Sequence, residues 1–115
     1  MKIGFIGTGK ITSSIIYGIF KSKLKNLKIS VSPRNRSIAN KLSKKFRSVE
    51  IRKDNQEVID RSDIIFLAVT PNVGLKILDK LRFTSSKKII SFISQHQINL
   101  QRSTSEVQKI QLLMV

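Results

Sequence analysis

The stretch Lys2-Ile-Gly-Phe-Ile-Gly-Thr-Gly-Lys-Ile-Thr12 decides the fold. Ile3 to Ile6 is an apolar run of strand character. Gly7-Thr8-Gly9 is a turn, and from Lys10 the apolar spacing becomes helical. Glycine at such a junction lets the backbone turn sharply and lets a pyrophosphate come close to its amides. The helix that follows offers unpaired N–H groups and a partial positive charge. The dinucleotide pattern is G-x-G-x-x-G/A: Gly7 and Gly9 fill the first two places, and Thr12 stands where the third small residue belongs. The competing phosphate pattern, G-x-x-x-x-G-K-[ST], is matched by Gly4, Gly9 and Lys10. It fails at Ile11, where a magnesium-binding hydroxyl is required, and it would pull Gly4 out of the strand. A strand–turn–helix that binds nothing would look the same over these few residues.

Outward from this turn, Ile11, Ile15, Ile16, Ile19 and Phe20 mark a helix from Lys10 to about Leu24. The hydroxyls of Thr12, Ser13 and Ser14 suit a phosphate and equally suit unpaired backbone groups. Lys28-Ile-Ser-Val-Ser-Pro33 is a second strand, ended by proline. An NAD site usually carries Asp or Glu at this point, about twenty residues past the glycines, on the ribose hydroxyls. Here Ser32 holds the place, followed by Arg34, Asn35 and Arg36. A carboxylate would repel a ribose 2′-phosphate, whereas a guanidinium binds one bidentately, so these residues favour NADP over NAD. A solvated basic turn is the competing reading.

A helix with Ile38, Ala39, Leu42 and Phe46 on one face follows, then a short strand from Ser48 to Ile51. Asp54-x-x-Glu57 has the form of a capping box ahead of a short helix. Asn55 belongs either to that cap or to a cofactor's adenosine half. Asp63 to Val69 is nearly all apolar, as in a strand buried on both faces of a parallel sheet, and Thr70-Pro71 stops it. A helix with Val73, Ile77, Leu78 and Leu81 inward comes next, then a strand from Lys87 to Ile93. Gln97 to Glu106 is polar, a short helix at most, and Lys109 to Val115 is a last strand. Alternating strands and helices call for an α/β fold of Rossmann type, a doubly wound parallel sheet in a single three-layer domain over residues 1–115.

Composition narrows the chemistry. Cysteine is absent and His96 is the sole histidine, which excludes disulfides, thiolate catalysis and multi-histidine metal centres. No apolar run reaches membrane-span length and no leader pattern opens the chain, so the expected place is the cytoplasm. The net charge is +15, with twelve Lys and Arg between Lys2 and Arg47 and no acid before Glu50. That half attracts anions. No groove-reading element accompanies the charge, so nucleic acid is not the expected partner. His96 lacks an evident partner to orient it and is not assigned as an acid–base group.

Taken together, the glycine turn, Ser-Pro-Arg-Asn-Arg36, Asp54-Asn-Gln-Glu-Val58 and Ser62-Asp-Ile-Ile-Phe-Leu-Ala-Val-Thr-Pro71 resemble the N-terminal domain of pyrroline-5-carboxylate reductase. The likeness covers nearly the whole chain and weakens after Ser94. It implies strand order 3-2-1-4-5-6 and NADPH as reductant of the C=N bond of 1-pyrroline-5-carboxylate, giving proline. It implies pyrophosphate on Gly7, Thr8, Gly9, Lys10, Ile11 and Thr12. Arg34, Asn35 and Arg36 fall at the adenosine phosphate, Asn55 at the adenine-side ribose, and Ala68, Val69, Thr70 and Pro71 on the nicotinamide side.

The chain departs from the family's pattern at Thr12, at Thr70, where lysine is common, and at Gln95-His96-Gln97. The family also continues into a helical domain that makes the dimer and much of the imino-acid pocket. The expectation is therefore a truncated form that binds NADPH and takes the imino acid only with a helical partner domain, with a homo-oligomer left open. The alternatives are a non-catalytic NADP-binding sensor or partner module and a related imine or ketone reductase domain.

Overall fold

In the computed structural model, residues 1–69, 71–84, 86–91 and 111–114 are described. Strands and helices alternate: β1 (Lys2–Ile6), α1 (Lys10–Lys21), β2 (Lys28–Val31), α2 (Arg36–Lys45), β3 (Val49–Ile51), α3 (Asn55–Asp60), β4 (Ile64–Leu67), α4 (Pro71–Lys80), β5 (Lys88–Ser91) and β6 (Gln111–Met114). The sheet order is β3-β2-β1-β4-β5-β6, and every pair is parallel. This is the Rossmann arrangement expected from the alternation. Because β2 lies on one side of β1 and β4 on the other, the chain reverses its direction of travel across the sheet there. That reversal leaves a crevice beyond the strand C-termini.

Side-chain alternation along the strands sorts the core into two layers. Ile3 and Phe5 of β1, with Ile29 and Val31 of β2, pack under Ile16 of α1 and Ala39 and Leu42 of α2. Ile6, with Ile65 and Leu67 of β4 and Ile89 of β5, packs under Val58 and Ile59 of α3. Phe5 and Phe66 are register partners, and their rings stack at 4.9 Å between centroids. Gly4 shows why the second layer sits so close. A β-carbon there would lie 2.8 Å from Val58 Cγ1 and collide with the Ser62 hydroxyl. Gly4 is thus a sheet-to-helix contact and takes no part in a phosphate loop.

Two boundaries differ from expectation. Helix α1 ends at Lys21, short of Leu24, because Ser22 turns to extended backbone and donates its N–H to the Gly18 and Ile19 carbonyls. Leu24 is left exposed. Strand β4 is shorter than the apolar run that announced it, and only one of its faces is fully closed. Ile65 and Leu67 are buried, while Ile64 and Phe66 are half-buried, since the α1–α2 layer covers β1 and β2 fully and β4 only in part. The segment from Gln97 to Glu106 and His96 lie outside the described residues. No helix among those described is long and apolar enough to cross a membrane.

Candidate functional site: a cationic cleft at the sheet's switch point

The cleft is built where the C-terminal ends of β1, β2 and β4 meet. It has a volume of about 740 Å³. From the β1 end it is lined by Gly7, Thr8, Gly9, Lys10 and Ile11, and from the β2 end by Arg34, Asn35 and Arg36. Ala68, Val69 and Val73 close the β4 side.

The two glycines of the turn serve different ends. Gly7 has φ +93°, in the left-handed region, and a β-carbon there would meet the Ala68 carbonyl and come within 2.5 Å of Val69 Cγ1. Gly9 is extended, at φ −120°, a conformation open to any residue. Nothing lies within 4 Å of the place its β-carbon would take. Gly7 is therefore demanded by the fold. At Gly9, which lines the cleft, the missing side chain leaves open space.

Gly9 is also the N-cap of α1, and no side chain caps that helix. The other helices that follow β2 and β3 are capped. Asn35 accepts from Ile38 N–H at 3.4 Å, and Asp54 accepts from Glu57 N–H at 2.8 Å. The first turn of α1 carries no acid either. Its N-terminal amides thus open on the cleft with neither a hydroxyl nor a carboxylate in their way, as an anion requires.

Two hydroxyls assigned to the cofactor site turn out to be buried behind the turn. Ser32 is 1% exposed and Thr12 0%, and neither lines the cleft. Gly7 N–H donates to Ser32 Oγ at 3.0 Å, Thr8 Oγ1 donates to the Ser32 carbonyl at 2.8 Å, and Thr12 Oγ1 donates to the Gly7 carbonyl. The register explains Ser32. Phe5 pairs with Val31, so residue 32 falls beside the start of the glycine turn and its side chain faces inward. Of the two readings open for Thr12, the structure takes the one in which it satisfies the backbone.

Arg34, Asn35 and Arg36 are exposed, and Arg34 and Arg36 share with Lys10 a lining without a carboxylate. Among the described residues the salt bridge is Arg52 to Glu50, at 2.9 Å, so neither arginine of the cleft is ion-paired there. Ala68 and Val69 are half-buried at the β4 end. Pro71 is the first residue of α4, and Thr70 lies outside the described residues. Asn55 is apart from the cleft. It opens α3 and lines a second cavity of about 320 Å³ with Asp54, Gln56, Ile77, Lys80 and Leu81. Val73 is an addition. Helical spacing puts it inward, and its place in the first turn of α4 makes that inward face a wall of the cleft. No group of His, Asp and Glu among the described residues could hold a metal.

The chain has relatives with this fold. A family model described as NADP oxidoreductase, coenzyme F420-dependent, matches residues 2–95. The pyrroline-5-carboxylate reductase of Methanosarcina acetivorans is 33% identical over 98 residues, which take in 78% of this chain and 34% of that protein. The solved 1-pyrroline-5-carboxylate reductase of Streptococcus pyogenes superposes with a TM-score of 0.71 at 26% identity, over 99% of this chain and 41% of that one. A Plasmodium falciparum pyrroline carboxylate reductase solved with NADP bound shares the fold, with a TM-score of 0.68 at 22% identity over 90% of this chain and 38% of that one. The chain spans about a third of the length of the curated relatives it matches. The resemblance to pyrroline-5-carboxylate reductases read from the glycine turn and the Ser62 to Pro71 run is thus borne out, and by the match over residues 2–95 the chain belongs to the NADP oxidoreductase, coenzyme F420-dependent, family.

Proposed function

We propose that the cleft binds NADPH and that these 115 residues are the cofactor half of a pyrroline-5-carboxylate reductase-type oxidoreductase. The observation that carries the reading is one junction: the open side of Gly9, the uncapped start of α1, and Arg34 and Arg36 all face the same cleft. The residues fit the group. The diphosphate rests on the turn from Gly7 to Gly9 and the amides of Lys10 and Ile11. Arg34 and Arg36 hold the adenosine 2′-phosphate with charge-assisted hydrogen bonds, and Asn35 stands between them. Ala68, Val69 and Val73 give the nicotinamide end an apolar wall.

NADPH, when bound, supplies the hydride for reduction of an imine carbon. The chain's own residues supply position: the turn and the arginines would hold the diphosphate and the adenosine phosphate, leaving Ala68, Val69 and Val73 to meet the nicotinamide end. The described lining contains no carboxylate and no imidazole, so the proton for the imine nitrogen and the grip on a small imino acid come from groups other than these. A helical partner domain is the source this reading assigns to them, together with any homo-oligomer contact. The same observation favours a second reading, an NADP-binding module without turnover.

Titration of the chain with NADPH, followed by cofactor fluorescence, tests the site. Saturable binding with NADPH preferred over NADH is the expected result, and absence of binding or preference for NADH overturns it. Turnover of 1-pyrroline-5-carboxylate by this chain alone would overturn the assignment of substrate groups elsewhere. Lack of turnover after a helical reductase domain is supplied favours the second reading.

A further inference from the structure

Ser32 holds the place of the acidic residue that selects NAD, and with Arg34 and Arg36 it reads in the sequence as favouring NADP. We infer instead that Ser32, with Thr12, is a positioning residue for the diphosphate turn and takes no part in choosing between the phosphorylated and unphosphorylated coenzyme. This rests on the proposed function and deepens it.

Every buried backbone polar group at the turn must find a partner. In the parallel β1–β2 ladder, Ser32 N–H donates to the Phe5 carbonyl at 3.1 Å. The next rung of such a ladder would run from Gly7 N–H to the Ser32 carbonyl. That rung is replaced. Gly7 N–H goes to the Ser32 hydroxyl, and the Ser32 carbonyl takes the Thr8 hydroxyl. Thr8 Oγ1 also lies 3.1 Å from Ser32 Oγ, closing the network. On the other side of the same glycine, Thr12 Oγ1 holds the carbonyl. Both polar groups of Gly7 are therefore clamped by side-chain hydroxyls, one from the residue that follows β2 and one from α1. All three hydroxyl residues are nearly or wholly buried. A buried polar group has no water to turn to, so these bonds fix the turn in one orientation. The orientation they fix points Gly9 and the first amides of α1 into the cleft.

The ligand-side consequence is a division of labour. Ser32 lies behind the turn and has no surface on the cleft. Its loss loosens the diphosphate cradle, which NADPH and NADH share. On this reading Arg34 and Arg36 carry the contact with the part in which the two coenzymes differ.

The test uses the purified chain, with NADPH and NADH as probes, at a temperature where circular dichroism shows each variant folded. Ser32→Ala is expected to weaken both coenzymes by one common factor, about tenfold, leaving their ratio as in the unaltered chain. Thr12→Val, which keeps the shape and removes the hydroxyl, is expected to do the same, and Thr12→Ser to restore affinity. The Thr12 pair decides the matter if Ser32→Ala does not fold. A Ser32→Ala variant that loses NADPH affinity selectively, or Ser32→Ala and Thr12→Val variants that bind both coenzymes unchanged, would overturn the inference. An unaltered chain that binds neither coenzyme would instead overturn the proposed function.

Discussion

The α-carbon of Gly7 stands against the carbonyl of Ala68 with no room for a methyl between them. The contact joins the ends of β1 and β4, the two strands between which the sheet reverses its order. It follows from the ladder, since Ala68 N–H donates to the Ile6 carbonyl at 2.9 Å and draws the β4 end alongside the turn. A side chain at position 7 would pay twice, in left-handed backbone and in overlap. Gly7→Ala is expected to lower stability by about 2–4 kcal/mol, measured by urea denaturation, and to abolish NADPH binding with it.

Gly9→Ala separates the two effects. The backbone there is extended and the space beyond is open, so stability should fall by about 1 kcal/mol or less, the usual difference between glycine and alanine at an N-cap. The added methyl stands where a diphosphate would approach the α1 amides. NADPH affinity should fall at least about tenfold while the melting curve barely moves. Equal affinity in this variant would place the diphosphate elsewhere.

Arg34 and Arg36 carry the choice of coenzyme. Each exposed guanidinium faces the cleft without an ion-pair partner among the described residues. Replacing either by alanine should weaken NADPH about tenfold and leave NADH within about twofold, because only the 2′-phosphate is lost as a contact. NADPH affinity should also fall as salt is raised, and more steeply than NADH affinity.

The fold was legible in this chain because its signals agree at every scale. Apolar runs such as Ile64 to Leu67 alternate with helices whose inward positions recur three and four apart, and such alternation has few compact solutions. The lining of the cleft from Gly7 to Ile11 and from Arg34 to Arg36 was legible too, since it follows strand ends that Gly7 and Pro33 mark. The orientation of single hydroxyls was not. Ser32 sits where a side chain can face the cleft or the turn, and the register between β1 and β2, a non-local property, decides, while Thr12 turns back from α1 to the Gly7 carbonyl. Asn55 illustrates the same gap. Its place one residue after the cap is local, but whether α3 turns it to the cleft or toward α4 depends on packing, and it stands with Ile77 and Leu81.

The caps supply a control for every binding measurement. Asp54 accepts from Glu57 N–H at 2.8 Å and lies outside the cleft lining. Asp54→Ala should therefore cost about 1 kcal/mol, seen as a fall of several degrees in the melting temperature. NADPH affinity should be unchanged below the melting range, because nothing at the turn or at the arginines depends on that carboxylate. A loss of affinity in Asp54→Ala comparable to that in Gly9→Ala would mean that stability and binding are not separable in this chain. The selective losses expected of Gly9→Ala and of the arginine variants would then have to be judged by the NADPH-to-NADH ratio alone, which a general loosening of the fold leaves unaltered.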